Sequence, residues 1–342
     1  MEHAIEMQGV RKTFGQNVAV EGLDLAVEPG SLTGLIGPNG AGKTTSIRMI
    51  MAILFPDAGR LSVLGRKSAV ESKDRIGYLP EERGVYKKMK VASFIKHMAR
   101  LKGLPFEGIN RTIAEWLERV DLPGVANKRC EELSKGMQQK VQFIASVIHR
   151  PDLLILDEPF SGLDPVNMRL LRELINEEQQ RGTTVIFSTH VMFQAEQICE
   201  NIVMIHEGRK VLDDKIAEIK ARVPTRSVLF DPVEPARLGD ASEAIANMPE
   251  VERIEPTERG HEAHLREGAD ALSVMRRVAA EAPVARIELR RPTLEDVFVG
   301  IVSGTVASRE EEERIRAALR EGGAAADHPA DQPADRPEEA TA

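Results

Sequence analysis

Up to residue 222, short apolar runs alternate with stretches of helical period. Ala4-Ile5-Glu6-Met7 and Leu23-Asp24-Leu25-Ala26-Val27 alternate apolar with polar positions, which predicts two antiparallel strands with one face in the core. Ser31 to Ile36, Leu153 to Asp157 and Thr184 to Ser188 are nearly unbroken apolar runs, which predicts strands of a parallel sheet covered on both faces. Lys43 to Leu54 reads as a helix stopped by Pro56, and Gly136 to His149 as another. From about Pro224 the pattern changes. Ser227 to Phe230 and Arg286 to Leu289 read as strands, Asp270 to Ala280 as a helix between them, and Leu294 to Val302 as a final helix. The expected class is α/β, with a mostly parallel sheet in residues 1–222 and a small α/β domain in residues 223–305.

Composition sharpens this picture at the margins. The chain has 342 residues, 42% hydrophobic and 29% charged, which is ordinary globular usage and enough for about two domains. No run approaches the roughly 18 apolar residues of a membrane span. Met1 to Glu6 lack the basic-then-apolar pattern of a secretory signal. Cys130 and Cys199, far apart, fit neither a disulfide framework nor a zinc site and suit a reducing cytosol. A net charge of −8 argues against nucleic acid as a partner. The charge is uneven: from Val306 onward there are ten Asp or Glu against five Lys or Arg, with almost no apolar residues. Residues 306–342 are therefore expected to be a largely disordered acidic tail, with room for a short helix over Arg309 to Arg320.

One motif carries chemistry. Gly37-Pro38-Asn39-Gly40-Ala41-Gly42-Lys43-Thr44 fits G-x-x-x-x-G-K-[ST] between a predicted strand and a predicted helix. The glycines let backbone amides curl around a triphosphate, and the helix start, running on through Thr45, adds aligned N–H groups. Lys43 reaches the β and γ phosphates, and Thr44 offers its hydroxyl oxygen to Mg²⁺. Asp157 ends an apolar strand, where a carboxylate faces the ligand crevice and holds Mg²⁺ through a water. Glu158 follows as the general base for an attacking water. Without the phosphate loop, such an Asp-Glu pair would be a helix cap or a solvated turn.

With these residues in place the chain resembles the ATP-binding cassette family of transporter ATPases, over Phe14 to His190. Leu133-Ser134-Lys135-Gly136-Met137-Gln138-Gln139 looks like the family signature Leu-Ser-Gly-Gly-Gln. Ser161-Gly162-Leu163-Asp164 resembles its D-loop, and Ser188-Thr189-His190 its switch histidine. Phe14 stands where the family has the aromatic that stacks on adenine. The resemblance implies a P-loop NTPase-type sheet with an antiparallel β subdomain and a helical subdomain, with ATP and Mg²⁺ as cofactors. It implies a homodimer sandwiching two nucleotides, in which Ser134 and Gly136 hold the γ-phosphate bound by the opposite subunit and His190 holds its own. It also implies a separate transmembrane permease, received by the Q-loop and the helical stretch Val91 to Arg119, at the cytoplasmic face of the membrane. Read alone, Ser134 is a plain N-cap, His190 a turn residue and Phe14 a core aromatic at a strand end.

Two departures from the family pattern stand out. Lys135 and Met137 occupy signature positions that are Gly and Gln in the family. Glu81 stands for Gln in the Q-loop Ile76-Gly77-Tyr78-Leu79-Pro80-Glu81-Glu82-Arg83. Glu81 is read as a further Mg²⁺ ligand, the alternative being that Glu82 or Arg83 faces a partner. Both variants look like those of sodium-efflux and antibiotic-export ATPases, whose small C-terminal domain ends in a Pro-x-Leu-Glu-x-x-Phe-like segment. Here that is Pro292 to Phe298, for which a helix cap is the plainer explanation. The function expected is the ATP-hydrolysing subunit of an exporter. Two alternatives are a soluble ATPase acting on ribosomes or DNA, whose double cassettes or long insertions are not visible here, and a non-hydrolysing regulatory module, disfavoured by Asp157, Glu158 and His190.

Overall fold

The computed structural model describes residues 3–82, 84–105, 107–222, 227–233, 243–257, 260–266, 268–281 and 283–302. The acidic tail, its Arg309 to Arg320 helix and Arg83 lie outside the described residues. The chain divides into two compact units, one holding residues 1–215 and the other Ile216–Ile301. Among the described residues no helix is long and apolar enough to cross a membrane.

A six-stranded sheet organises the first unit. It is built from β3 (Leu32–Ile36), β5 (Ile76–Leu79), β6 (Leu153–Asp157), β7 (Thr184–Thr189), β8 (Asn201–His206) and β9 (Arg209–Lys215). Their order is β5-β6-β7-β3-β8-β9, parallel except for β9. Every residue of β3, β6 and β7 is buried, which is why these strands carry unbroken apolar runs.

A separate antiparallel sheet, in the order β2-β1-β4, contains β1 (Ile5–Phe14), β2 (Asn17–Val27) and β4 (Ala58–Val63). β1 and β2 run well beyond the alternating segments seen in the sequence. Register shifts from Met7 onward, with Gly9 in the left-handed region, break the alternation without ending the ladder. Ile5, Met7, Val10 and Leu23 of this sheet join Leu35, Ile155, Ile186 and Val203 of the large sheet in one core. Between them lies α1 (Lys43–Ile50), which gives Ile47, Met49 and Ile50 to that core. The helix stops short of the expected Leu54. Ala52 takes φ 53°, and the amides of Ile53 and Leu54 turn back to the Arg48 carbonyl, so the chain leaves the helix before Pro56 acts.

The stretch Val91 to Arg119 resolves into α2 (Val91–Leu101) and α3 (Ile109–Arg119), separated by Gly103 and Gly108 in left-handed conformation. Both pack on α4 (Lys135–Val147), and Trp116 meets Phe143 edge-on with centroids 6.4 Å apart. α4 starts at Lys135, one residue before the expected Gly136, because Ser134 caps it; it ends at Val147. α5 (Pro165–Gln180), capped by Asp164, and α6 (Met192–Glu196) complete this unit.

The second unit contains α7 (Ile216–Arg222), β10 (Ser227–Pro232), β11 (Val251–Pro256), β12 (His261–Leu265), α8 (Ala271–Glu281), β13 (Val284–Leu289) and α9 (Leu294–Val302). The strands form an antiparallel sheet in the order β11-β12-β10-β13. Val228, Phe230, Ala263 and Leu265 pack against Val274 and Val278 of α8. β11 and β12 escaped the sequence reading because their charged residues, Glu252, Arg253, Glu255 and Glu262, mask a core face of few apolar positions. At the start of α9, Thr293 and Asp296 cap each other reciprocally, and Arg290 joins Asp296 to the buried Glu262 at 2.7 Å. The Pro-Thr start of this segment is therefore a capping box.

β5 runs so close to α4 that a Cβ on Gly77 would lie 2.2 Å from the Ser146 carbonyl oxygen. Gly77→Ala is expected to cost roughly 1–3 kcal/mol. The readout is an earlier urea midpoint in the fluorescence of Trp116, the single tryptophan, which lies in the first unit. An unchanged midpoint would mean that β5 and α4 separate freely.

Candidate functional site

The loop between β3 and α1 is shaped by two glycines that leave no room for a Cβ. At Gly37 (φ 151°) it would lie 2.0 Å from the Ile205 carbonyl oxygen, and at Gly42 (φ 106°) 2.5 Å from that of Ala19. Gly42 is the N-cap of α1, and no side chain caps the helix. The amides of its first turn, Lys43 to Thr45, thus remain for a ligand at the positive end of the helix. Lys43 is buried, and its ammonium donates to the carbonyls of Gly37 (2.7 Å) and Pro38 (3.0 Å). Burial lowers its pKa, against the attraction of Glu158, Asp157 and Glu81.

A cleft of about 760 Å³ opens over this loop, a size that suits a nucleotide. It brings together Phe14, Asn39, Gly40, Gly42, Lys43, Thr44, Thr45, Glu81 and Glu158. Gly37, Pro38 and Ala41 belong to the loop but not to the cleft wall; Ala41 is packed into the core. Asn17, Val18, Ala19 and Glu207 complete the lining. Sequence reasoning missed them because they reach the cleft from β2 and the β8–β9 turn, with no motif of their own.

Phe14 is 47% exposed at the end of β1, so it is not a core aromatic. The strand end that carries it is clamped by Asp57. That carboxylate accepts from the Thr13 amide and hydroxyl, both at 2.7 Å, and from Lys12 Nζ at 2.8 Å. These bonds, Lys12's foremost, hold the Asp57 carboxyl far below the usual carboxylate range. The Lys12 ammonium also lies 5.7 Å from the centroid of the Phe14 ring.

Asp157 ends β6 in register with Ser188 of β7. It is buried, is not part of the cleft wall, and neither carboxylate oxygen has a hydrogen-bond partner among the described residues. Burial pushes its carboxyl up to about 6; Glu81 and Glu158 push the same way, while Ser188 and Lys43 oppose. Such an orphaned pair of oxygens fits a hard cation, and Thr44 and Glu81 offer further oxygen donors of the kind Mg²⁺ takes. Among the described residues no three His, Cys, Asp or Glu side chains stand close enough to hold an ion unaided. Mg²⁺ takes one or two carboxylates together with phosphate oxygens, and Asp157, Glu81 and Thr44 supply donors of that kind.

Glu158 follows with φ 47°, a left-handed conformation that costs energy in a residue with a Cβ. β7 holds it there. Oε1 accepts from the His190 amide at 2.8 Å and from its Nδ1 at 2.6 Å, and Oε2 accepts from the Thr189 hydroxyl at 3.0 Å. Thr189, which the sequence did not single out, is itself fixed by the Val191 amide at 3.1 Å and lies 3.3 Å from Gln194 Oε1. Among the described residues His190 Nε2 is buried without a hydrogen-bond partner. With Nδ1–H donated to Glu158, Nε2 is an acceptor in the neutral ring and a donor only in the imidazolium.

Ser134 and Gly136 lie outside the cleft at the start of α4. The Ser134 hydroxyl accepts from the Met137 amide at 3.3 Å, the plain N-cap expected of the residue read alone. A Cβ on Gly136 would meet Leu163 Cδ2 at 3.3 Å, so the signature segment packs against the D-loop segment.

The raised pKa of Asp157 sets a direction for stability. Its folded pKa, about 6, lies above the ordinary carboxylate value, so the fold favours the protonated form. Asp157's contribution to stability is then most favourable below about pH 4 and declines as pH rises through about 6. In metal-free buffer Asp157→Asn is expected to gain up to about 3 kcal/mol at pH 7.5, a gain that shrinks toward pH 4.5. Urea titrations at the two pH values check this; a gain independent of pH would place the burial cost elsewhere.

Comparison with known proteins agrees with this geometry. The ABC transporter family profile matches residues 20–161, and the profile described as ATP-binding protein DrrA1-3-like, C-terminal domain, matches residues 215–302. The uncharacterized ABC transporter ATP-binding protein YhaQ of Bacillus subtilis (strain 168) is 40% identical over 290 residues, 85% of this chain and 95% of that protein. Nod factor export ATP-binding protein I of Paraburkholderia xenovorans (strain LB400) is 33% identical over 303 residues, 87% of this chain and 96% of that protein. Among solved structures, an ATP binding subunit of an ABC transporter superposes with a TM-score of 0.60 at 28% identity, over 64% of this chain and 92% of the other. The chain thus belongs to the ABC transporter family, as an ATP-binding subunit that hydrolyses ATP.

Proposed function

We propose that this ATPase drives export through a separate membrane-spanning permease, working as a homodimer that sandwiches two ATP molecules at the cytoplasmic face of the membrane. The observation that carries the reading is the cleft in which Lys43, Thr44, Glu81 and Glu158 meet beneath the exposed Phe14. The direction of transport draws support from the likeness to Nod factor export ATP-binding protein I along 87% of this chain. Residues 1–222 form the ATPase domain in this reading, residues 223–305 an accessory domain that steadies the dimer, and residues 306–342 a solvating tail.

ATP lies with its base against Phe14 and its phosphates on Gly37 to Thr45. Lys43 turns from the Gly37 and Pro38 carbonyls to the β and γ phosphates, an exchange of acceptors within reach of one side chain. Mg²⁺, held by Thr44, Asp157 and Glu81, would neutralise charge on the phosphates. Glu158 takes a proton from water as the water oxygen attacks the γ-phosphorus and the β–γ bridging bond breaks, leaving ADP and phosphate. Thr189 and His190 aim the Glu158 carboxylate, and His190 meets the γ-phosphate through Nε2. Ser134 and Gly136 of one subunit close on the γ-phosphate of the other. The permease docks on the Q-loop, α2 and α3, so closing the dimer pulls on it.

Glu158→Gln is expected to keep ATP affinity, lose at least ~100-fold in turnover and accumulate as an ATP-bound dimer in light scattering. Trapped that way and drawn from detergent-solubilised native membranes, it should bring along a polypeptide with several spans; ribosomal proteins or DNA in its place would overturn the transport reading. Lys43→Ala should weaken ATP binding roughly tenfold or more in a nucleotide titration, and unchanged affinity would remove Lys43 from the phosphate site.

A further inference from the structure

In a chain of net charge −8, the segment from Gly84 to Pro105 holds six Lys or Arg and not one Asp or Glu. Lys102 turns inward to the carbonyls of Lys73 and Ile76. The backbone gathers others of this segment beside a second basic pair. Val91 N donates to Lys128 O and Cys130 N to Met89 O, each at 2.9 Å, and Glu131 N donates to Lys87 O at 3.0 Å. A bridge pairs Lys90 with Arg129. Lys87, Lys88, Lys90, Lys128 and Arg129 therefore share one exposed edge.

The side chains of the four lysines make no ion pair or hydrogen bond among the described residues. The acids that follow Arg129 along the chain are engaged by it: Glu131 by its guanidinium at 3.4 Å, and Glu132 by its backbone amide. One aromatic ring is exposed beside this edge: Tyr86 is 51% exposed, its ring 5.9 Å from Phe94 and from His97 of α2.

We propose that this edge, which adjoins the face assigned above to a permease, rests directly on an anionic phospholipid surface without needing a permease. Lysine is a compact, hydrated point charge on a flexible stem, suited to a diffuse layer of headgroups. A carboxylate on a protein partner is matched better by arginine forks, and the one arginine here is already engaged. An exposed Tyr among lysines is a pairing that sits at a headgroup boundary, ring below and ammonium above. A molecule carrying net negative charge is repelled by such a surface unless its cations are concentrated, as they are here. The binding orients the ATPase before a partner is met.

The inference rests on the membrane side of the proposed function, and its test needs neither permease nor nucleotide. The full chain is floated with vesicles of phosphatidylcholine, with or without about one third phosphatidylglycerol. The expected result is binding to the anionic vesicles only, lost in ~0.5 M salt. The triple variant Lys87→Gln, Lys88→Gln, Lys90→Gln should bind roughly tenfold or more weakly, while its ATP hydrolysis in solution is unchanged. Arg60→Gln, Arg66→Gln, Lys67→Gln removes the same charge from another exposed stretch and should bind as the parent does. Equal binding to both vesicle types, no binding to either, or equal loss in both triple variants would overturn the proposal. So would recovery with membranes only when a membrane protein is present, which would assign the edge to a protein partner. Loss of permease co-purification by the Glu158→Gln protein alongside intact vesicle binding would count against the export reading alone.

Discussion

The site exists because three buried strands end together. β3 pairs with β7 in a register that sets Ile36 opposite Thr189, and β6 pairs with β7 so that Asp157 faces Ser188. Parallel strands flush at their carboxyl ends release their chains into one crevice. From β3 comes the glycine loop, from β6 the Asp157–Glu158 pair, and from β7 the Thr189–His190 pair. A slip of one residue in either ladder would carry the glycine loop or the Asp157–Glu158 pair out of step with Thr189 and His190. The register of the apolar runs is thus also the register of the chemistry.

Within that frame the charges oppose one another by design of position. Lys43 is buried and lowered in pKa, Asp157 is buried and raised, and Glu81 and Glu158 add negative charge beside both. A ligand bringing a cation to Asp157 and phosphates to Lys43 relieves both costs at once. Glu158 is the exception to this loose arrangement. Its left-handed backbone persists because Thr189 and His190 satisfy its carboxylate with three donors. Whatever moves β7's end moves the base with it.

The surface distributes charge as unevenly as the site does. The lysines of 87–90 and Lys128 are clustered and make no ion pair among the described residues. In the second unit the buried Glu262 is paired: Arg290 joins it to Asp296 and so ties the sheet to the cap of α9. Clustered unpaired charge outside and paired charge inside is what the cost of burying an ion requires.

Local sequence determined a good deal. The phosphate loop, the unbroken strands β3, β6 and β7, and the carboxylates at the end of β6 are legible because burial on both faces, glycine geometry and a helix start are all written within a few neighbouring residues. The ends of α1 and the split between α2 and α3 were not legible, since they turn on left-handed residues such as Ala52 and Gly103, whose conformation is set by what the chain meets next. β11 and β12 were hidden because a sheet with one charged face shows few apolar positions per strand. Only the tertiary structure brought Asn17, Ala19 and Glu207 to the cleft, set Asp57 against the strand end bearing Phe14, and fixed Glu158 through Thr189. Each of these joins residues far apart along the chain, and no pattern within a single element records such a meeting.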